Sequence, residues 1–175
     1  GNKNPVPILL KGLKRLEYRG YDSSGFALLQ KDEVTCIKKK GKVASLESFI
    51  NNEDMDSNIG IAHTRWATHG EPNDINAHPH LDHTGKIALV HNGIIENHEV
   101  LKEVLISKGI SFISDTDSEV LVQLISTIYY QEKEISFEDA VRAALQETIG
   151  AYGIVVICAD EPETLIAARN GSPLV

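Results

Sequence analysis

Positive charge is scarce in this sequence: 17 lysines and arginines stand against 25 aspartates and glutamates, for a formal net charge of −8. A nucleic-acid groove needs clustered Lys and Arg to displace counterions, and only Lys38-Lys39-Lys40 forms a basic run, so no nucleic-acid partner is expected. That run reads as a solvated strand end. Cysteine is scarcer still. Cys36 and Cys158 lie far apart, in no CxxC pair and no disulfide framework, which fits a reducing compartment. No stretch approaches the roughly 20 apolar residues of a membrane span, and no secretory leader pattern is visible, so the expectation is a cytoplasmic protein without membrane contact. At 175 residues the chain is long enough for one domain with a real core. Its start at Gly1 without methionine and its apolar close at Ser172-Pro173-Leu174-Val175 suggest a piece of something longer.

What the sequence does hold is concentrated. All seven histidines and the single tryptophan fall between Gly60 and His98. Around them the pattern is that of a scaffold. Val6, Leu9, Leu10, Leu13 and Leu16 give an amphipathic helix over Pro5 to Tyr18. Phe26 to Gln30 and Val34 to Lys39 read as a hairpin across Lys31-Asp32-Glu33. Val43 to Ile50 reads as a short helix, Asn51 to Asn58 as an exposed loop, and Ile59 to His63 and Ile87 to His91 as buried strands. Between those strands runs a long loop rich in His, Asn and Pro, of the kind that carries function.

Three helices are expected next. Asn97 caps the first, whose Leu101, Val104 and Leu105 face inward before Gly109 ends it. Thr116 and Glu119 form a capping box for the second, and Ser136 with Asp139 opens the third. Ile154 to Cys158 and Thr164 to Ala168 are further strands. Strands, then helices, then strands argue an α+β fold with largely antiparallel sheets.

Several residues in this pattern suit chemistry. Arg65 stands among small and apolar residues in Thr64-Arg65-Trp66-Ala67-Thr68-His69-Gly70, where a guanidinium suits a carboxylate and Thr68 and His69 can donate to the same group; a structural ion pair is the alternative. His91-Asn92-Gly93 places an amide beside a glycine N–H, either an oxyanion hole or a simple chain-reversing turn. Asp117 at a helix start either complements the helix dipole or presents a carboxylate to an ammonium. The pair His78 and His80, with His63, His69 and His91, admits a metal, but no HExxH or fixed Cys/His spacing is present, so none is expected.

These motifs, together with Arg19-Gly20-Tyr21-Asp22-Ser23, Ile94-Ile95-Glu96-Asn97-His98, Thr116-Asp117-Ser118-Glu119, Gly150-Ala151-Tyr152-Gly153 and Arg169-Asn170-Gly171-Ser172-Pro173-Leu174, resemble the glutaminase domain of the glutamine:fructose-6-phosphate aminotransferases, a branch of the class II glutamine amidotransferases. The resemblance runs essentially from end to end. It implies the N-terminal nucleophile hydrolase fold, an αββα sandwich, and no cofactor. It also implies hydrolysis of L-glutamine to glutamate and ammonia, the ammonia being used by sugar isomerase domains of the same longer polypeptide, a homo-oligomer, to convert fructose-6-phosphate to glucosamine-6-phosphate.

Carried over residue by residue, Arg65, Thr68 and His69 would hold the glutamine α-carboxylate, and Asp117 with the Gly93 carbonyl its α-ammonium. Asn92 and the Gly93 N–H would form the oxyanion hole, Trp66 would border the ammonia route, and Arg19, His78 and His91 would support the pocket. The family's nucleophile is an N-terminal cysteine opening a Cys-Gly-Ile-Val-Gly strand. Neither Cys36 nor Cys158 matches that motif, so residues 1 to 175 are expected to be a domain truncated at both ends and inactive by themselves. The alternative is a binding or regulatory module that keeps Arg65 and Asp117 without catalysis.

Overall fold

A computed structural model describes residues 3–50, 57–66, 70–131 and 134–172. The elements in chain order are α1 (Val6–Leu16), β1 (Ser23–Gln30), β2 (Glu33–Lys40), α2 (Val43–Glu47), β3 (Gly60–Arg65), β4 (His80–Leu81), β5 (Ile87–Ile95), α3 (His98–Ser107), α4 (Asp117–Gln131), α5 (Phe137–Gln146), β6 (Gly150–Cys158) and β7 (Leu165–Asn170). They form two antiparallel sheets, one in the order β2-β1-β3 and one in the order β4-β5-β6-β7.

Strand parity decides the layering. Successive side chains of a strand point to opposite faces, and a strand apolar on both faces is covered on both. In β1, Phe26 and Leu28 meet Val6 and Leu13 of α1 and Val43 and Leu46 of α2, while Ala27 and Leu29 meet the other sheet. In β5, Ile87 and Leu89 pack on Leu121, Val122 and Ile125 of α4 and on Phe137 and Val141 of α5, while Ala88 and Val90 face Ala27, Leu29 and Ile61. Apolar side chains between the sheets, and a second apolar face of each sheet under helices, give the order helices, sheet, sheet, helices.

Most expected elements are present, with informative departures. The strand from Ile87 does not stop at His91. It runs to Ile95 because Asn92 and Gly93 pair with Gly153 and Tyr152, so the Asn-Gly pair is no turn. Asn97 does not cap α3 with its side chain; its amide instead donates to the Glu147 carbonyl at 2.8 Å and accepts from Ile149 N–H at 2.9 Å, joining α3 to the start of β6. Val104 is half exposed rather than inward. The capping box at α4 is half formed. Glu119 N–H reaches Thr116 Oγ1 at 3.3 Å, but the Glu119 carboxylate turns to the N–H groups of Ile113 and Ser114.

At α5 the expectation holds, with Asp139 N–H donating to Ser136 Oγ at 3.1 Å. The helix from Val43 ends at Glu47, short of Ile50. Residues 51–56 of the expected loop lie outside the described residues, and Ser57 is buried rather than exposed. Lys38 is not solvated at its ammonium: Nζ donates to the carbonyls of Ile75 and Ala77 at 3.0 and 2.7 Å, and burial pushes its pKa down. Beside it, Lys39 pairs with Asp74 at 2.6 Å. The two lysines anchor the loop that leads to His78.

Candidate active site

The two sheets and α4 meet around an open cleft of about 520 Å³. Arg65, Trp66, Asn92, Gly93 and Asp117 all line it, as do Arg19, His78 and His91, so every expected site residue within the described part falls in one place. Thr68 and His69 lie outside the described residues.

Parity again explains the gathering. Arg65 shares a strand face with Ile61 of β3, and Asn92 shares one with Ala88 and Val90 of β5; both faces look across the gap between the sheets. Arg65 ends β3 opposite Ser23 and is 5% exposed. Burial pushes its pKa down, and the carboxylates of Asp22 and Asp117 oppose that shift. The cleft therefore holds a guanidinium and a carboxylate at low exposure, each in the other's field. Asp117 opens α4, and its Oδ2 accepts the Ile95 N–H at 2.8 Å.

Gly93 stands at φ +143°, a conformation that L side chains rarely adopt, and a Cβ built there would lie 2.0 Å from the Ala151 carbonyl oxygen. Only glycine lets β5 approach β6 so closely at this point. Trp66 is 58% exposed at the mouth, its ring edge-on to Tyr21 at 5.5 Å between centroids.

Along the floor of the cleft lies a histidine layer whose connections local sequence does not reveal. His63 and His78 lie with ring centroids 4.6 Å apart and planes tilted by 42°, and His78 and His80 meet edge-on at 4.8 Å. Burial, with His91 and Arg65 adding to it, pushes His63 down to about 4; His78 and His80 are driven well below the ordinary imidazole range, again chiefly by burial. Ser118 Oγ sits 2.9 Å from both His78 Nε2 and His91 Nδ1, and Thr116 Oγ1 is 3.0 Å from His80 Nε2. Among the described residues no three His, Cys, Asp or Glu side chains converge as metal ligands. Neither cysteine lines the cleft. Cys36 points its thiol at the Pro79 carbonyl, and burial raises both it and Cys158 to about 11, so both are neutral thiols at neutral pH.

Comparison with known proteins agrees with this geometry. The glutamine amidotransferase domain model matches residues 63–174. The chain belongs to the glutamine amidotransferase domain family. This amidotransferase domain is 53% identical over 178 residues to a glutamine--fructose-6-phosphate aminotransferase [isomerizing] of Chlorobaculum tepidum, and 54% identical over 176 residues to one of Bacteroides thetaiotaomicron. The whole chain is covered in both comparisons, but it spans only 29% and 28% of those relatives' lengths, so they carry much further sequence.

Among solved structures, the B. subtilis glutamine phosphoribosylpyrophosphate amidotransferase complexed with ADP and GMP superposes with a TM-score of 0.75 at 26% identity, covering 98% of this chain and 36% of that one. The fold is the αββα sandwich of the N-terminal nucleophile amidotransferases. No helix among the described residues is long and apolar enough to cross a membrane.

Proposed function

We propose that this domain hydrolyses L-glutamine to glutamate and ammonia, and that a linked domain of the longer polypeptide uses the ammonia to aminate fructose-6-phosphate. The observation that carries the reading is the single cleft holding Arg65 and Asp117 with Asn92 and Gly93. A buried guanidinium and a buried carboxylate in one cleft match the two charges of a free α-amino acid, and an amide beside a glycine matches its side-chain carbonyl.

In this reading Arg65 binds the α-carboxylate, with Thr68 and His69 as further donors. The α-ammonium lies against Asp117 Oδ1 and the Gly93 carbonyl, since Oδ2 is engaged by Ile95. A cysteine thiolate attacks the side-chain amide carbon, and the carbonyl oxygen becomes an oxyanion held by Asn92 and the Gly93 N–H. Collapse breaks the C–N bond, and the leaving nitrogen departs as ammonia carrying the proton that the base took from the thiol. Water then attacks the thioester, releasing glutamate and regenerating the thiol. The base is the free α-amine of that cysteine, at the amino terminus of the longer polypeptide. Cys36 and Cys158 do not serve, being neutral and away from the cleft. Trp66 lies on the side where ammonia leaves, and Arg19, His78 and His91 shape the pocket.

The test is the intact polypeptide treated with 6-diazo-5-oxonorleucine, a glutamine-like electrophile, followed by peptide mapping. One adduct on an amino-terminal cysteine, with loss of glutamine hydrolysis, is expected. An adduct on Cys36 or Cys158, or glutamine hydrolysis that survives modification, overturns the reading.

A further inference from the structure

Ser118 is 1% exposed and sits in the first turn of α4, directly after Asp117. Its Oγ lies 2.9 Å from His78 Nε2 and 2.9 Å from His91 Nδ1, and 3.4 Å from Asp117 Oδ1. The two imidazoles come from different elements: His78 from the loop before β4, and His91 from β5, immediately before Asn92. One hydroxyl thus joins the loop, the strand and the helix that together form the floor of the cleft.

A hydroxyl has one proton to give, so the direction of the chain can be worked out. His78 Nδ1 is enclosed with no hydrogen-bond partner among the described residues. Were Ser118 to donate to His78 Nε2, the ring proton would sit on Nδ1 as an orphaned buried N–H. A buried unmatched acceptor is the commoner compromise. So His78 Nε2–H donates to Ser118, and Ser118 passes its own proton onward. Two further contacts are in reach of the hydroxyl, His91 Nδ1 at 2.9 Å and Asp117 Oδ1 at 3.4 Å. The 4.0 Å between His91 Nδ1 and Asp117 Oδ2 is too long for a hydrogen bond, so Ser118 is the link between the strand and the helix start.

We infer that Ser118 is a positioning residue of the cleft: its hydroxyl accepts from His78 and hydrogen-bonds His91, setting the His78 tautomer and fixing the segment His91-Asn92-Gly93 against the helix start that carries Asp117. The catalytic part of this inference rests on the glutaminase reading above; the hydrogen-bond part does not. Asp117 has a second tether in Ile95 N–H, whereas Ser118 is the hydroxyl that ties His91 to α4. Loss of the hydroxyl therefore displaces the oxyanion donor more than the ammonium acceptor.

The experiment uses the intact polypeptide with ¹⁵N-labelled histidine, unchanged and as Ser118→Ala and Ser118→Thr. The unchanged protein should give His78 nitrogen signals of an Nε2–H ring with bare Nδ1. Ser118→Ala should move them toward a mixture of tautomers, and Ser118→Thr should restore them. In glutamine hydrolysis, Ser118→Ala should lower kcat by on the order of ten- to a hundredfold, as small misplacements of reacting groups do, with KM within about threefold and Thr restoring kcat. A protonated Nδ1 on His78 in the unchanged protein, signals unmoved by Ser118→Ala, or a loss confined to KM overturns the inference. Absence of glutamine hydrolysis in the unchanged polypeptide overturns the glutaminase reading alone, and the nitrogen signals still decide the hydrogen-bond direction.

Discussion

Gly93→Ala separates two costs that glycine substitutions usually mix. At Gly93 the backbone stands at φ +143°, and the added Cβ would lie 2.0 Å from the Ala151 oxygen, 2.8 Å from its carbonyl carbon and 2.9 Å from Tyr152 Cα. All three are backbone atoms of β6, so no side chain can swing aside. Relief requires the Gly93↔Tyr152 pair to part by more than an ångström, straining or breaking ladder hydrogen bonds worth about 0.5 to 1.5 kcal/mol each. The unfavourable φ adds roughly 1 to 3 kcal/mol. Together these give about 3 to 5 kcal/mol, or a fall in Tm of roughly 6 to 20 °C for a domain of this size.

Gly85 is the control. It too has positive φ, +74°, but a Cβ there meets nothing within 4 Å, so only backbone strain of about 1 to 2 kcal/mol applies. Thermal unfolding of the two variants under one buffer decides the matter, and needs no assumption about function. If Gly93→Ala lowers Tm no more than Gly85→Ala does, the close approach of β5 to β6 is not what reserves this position for glycine.

Arg65→Ala should raise the KM for glutamine by roughly ten- to a hundredfold, since a charge-assisted carboxylate contact worth about 1.5 to 3 kcal/mol is lost; steady-state glutaminase kinetics with an unchanged KM would remove Arg65 from substrate binding. Asn92→Ala should depress kcat by about 10² to 10³ instead, and a change seen only in KM would exclude the oxyanion role. Stability should fall on mild acidification. With His63 near 4 in the fold and 6.5 when unfolded, the unfolded chain binds the extra proton, so the stabilisation is complete above pH 6.5, declines below it and is gone below about 4. By pH 5 His63 alone should remove about 2 kcal/mol, with His78 and His80 acting in the same direction. Denaturant midpoints that stay level from pH 7.5 to 5 would contradict the buried neutral layer.

Periodicity was a good guide to elements and a poor one to their ends. Val6, Leu9 and Leu13 marked α1, and Ile87 to Val90 marked β5, because burial follows the pattern of each structure. The stop at His91 was misread because an Asn-Gly pair signals a turn locally, and only β6, some 60 residues later, supplies the partner that keeps it extended. Lys38 was misread for the same reason: a lysine at a strand end is normally solvated, and the carbonyls that hold it belong to a loop whose path no local rule predicts. Asn97 carried the right capping chemistry but was engaged by residues 147 and 149.

The site residues divide along the same line. Arg65, Asn92 and Asp117 were legible as singular groups, a lone guanidinium, an amide beside glycine and a carboxylate at a helix start, because their residue types limit what they can do. Ser118 was not, since serine in a helix's first turn ordinarily serves the backbone. Its contacts with His78 and His91 span separations of 40 and 27 residues and exist only because α4 covers the face of β5 that also carries Ile87 and Leu89. His91 shares that face by parity, while Asn92, one residue on, faces Arg65 across the gap. A one-residue slip of β5 would exchange the two, turning the amide under α4 and the imidazole into the cleft. The register of the β5–β6 ladder therefore specifies the chemistry of the cleft as much as the residues that line it.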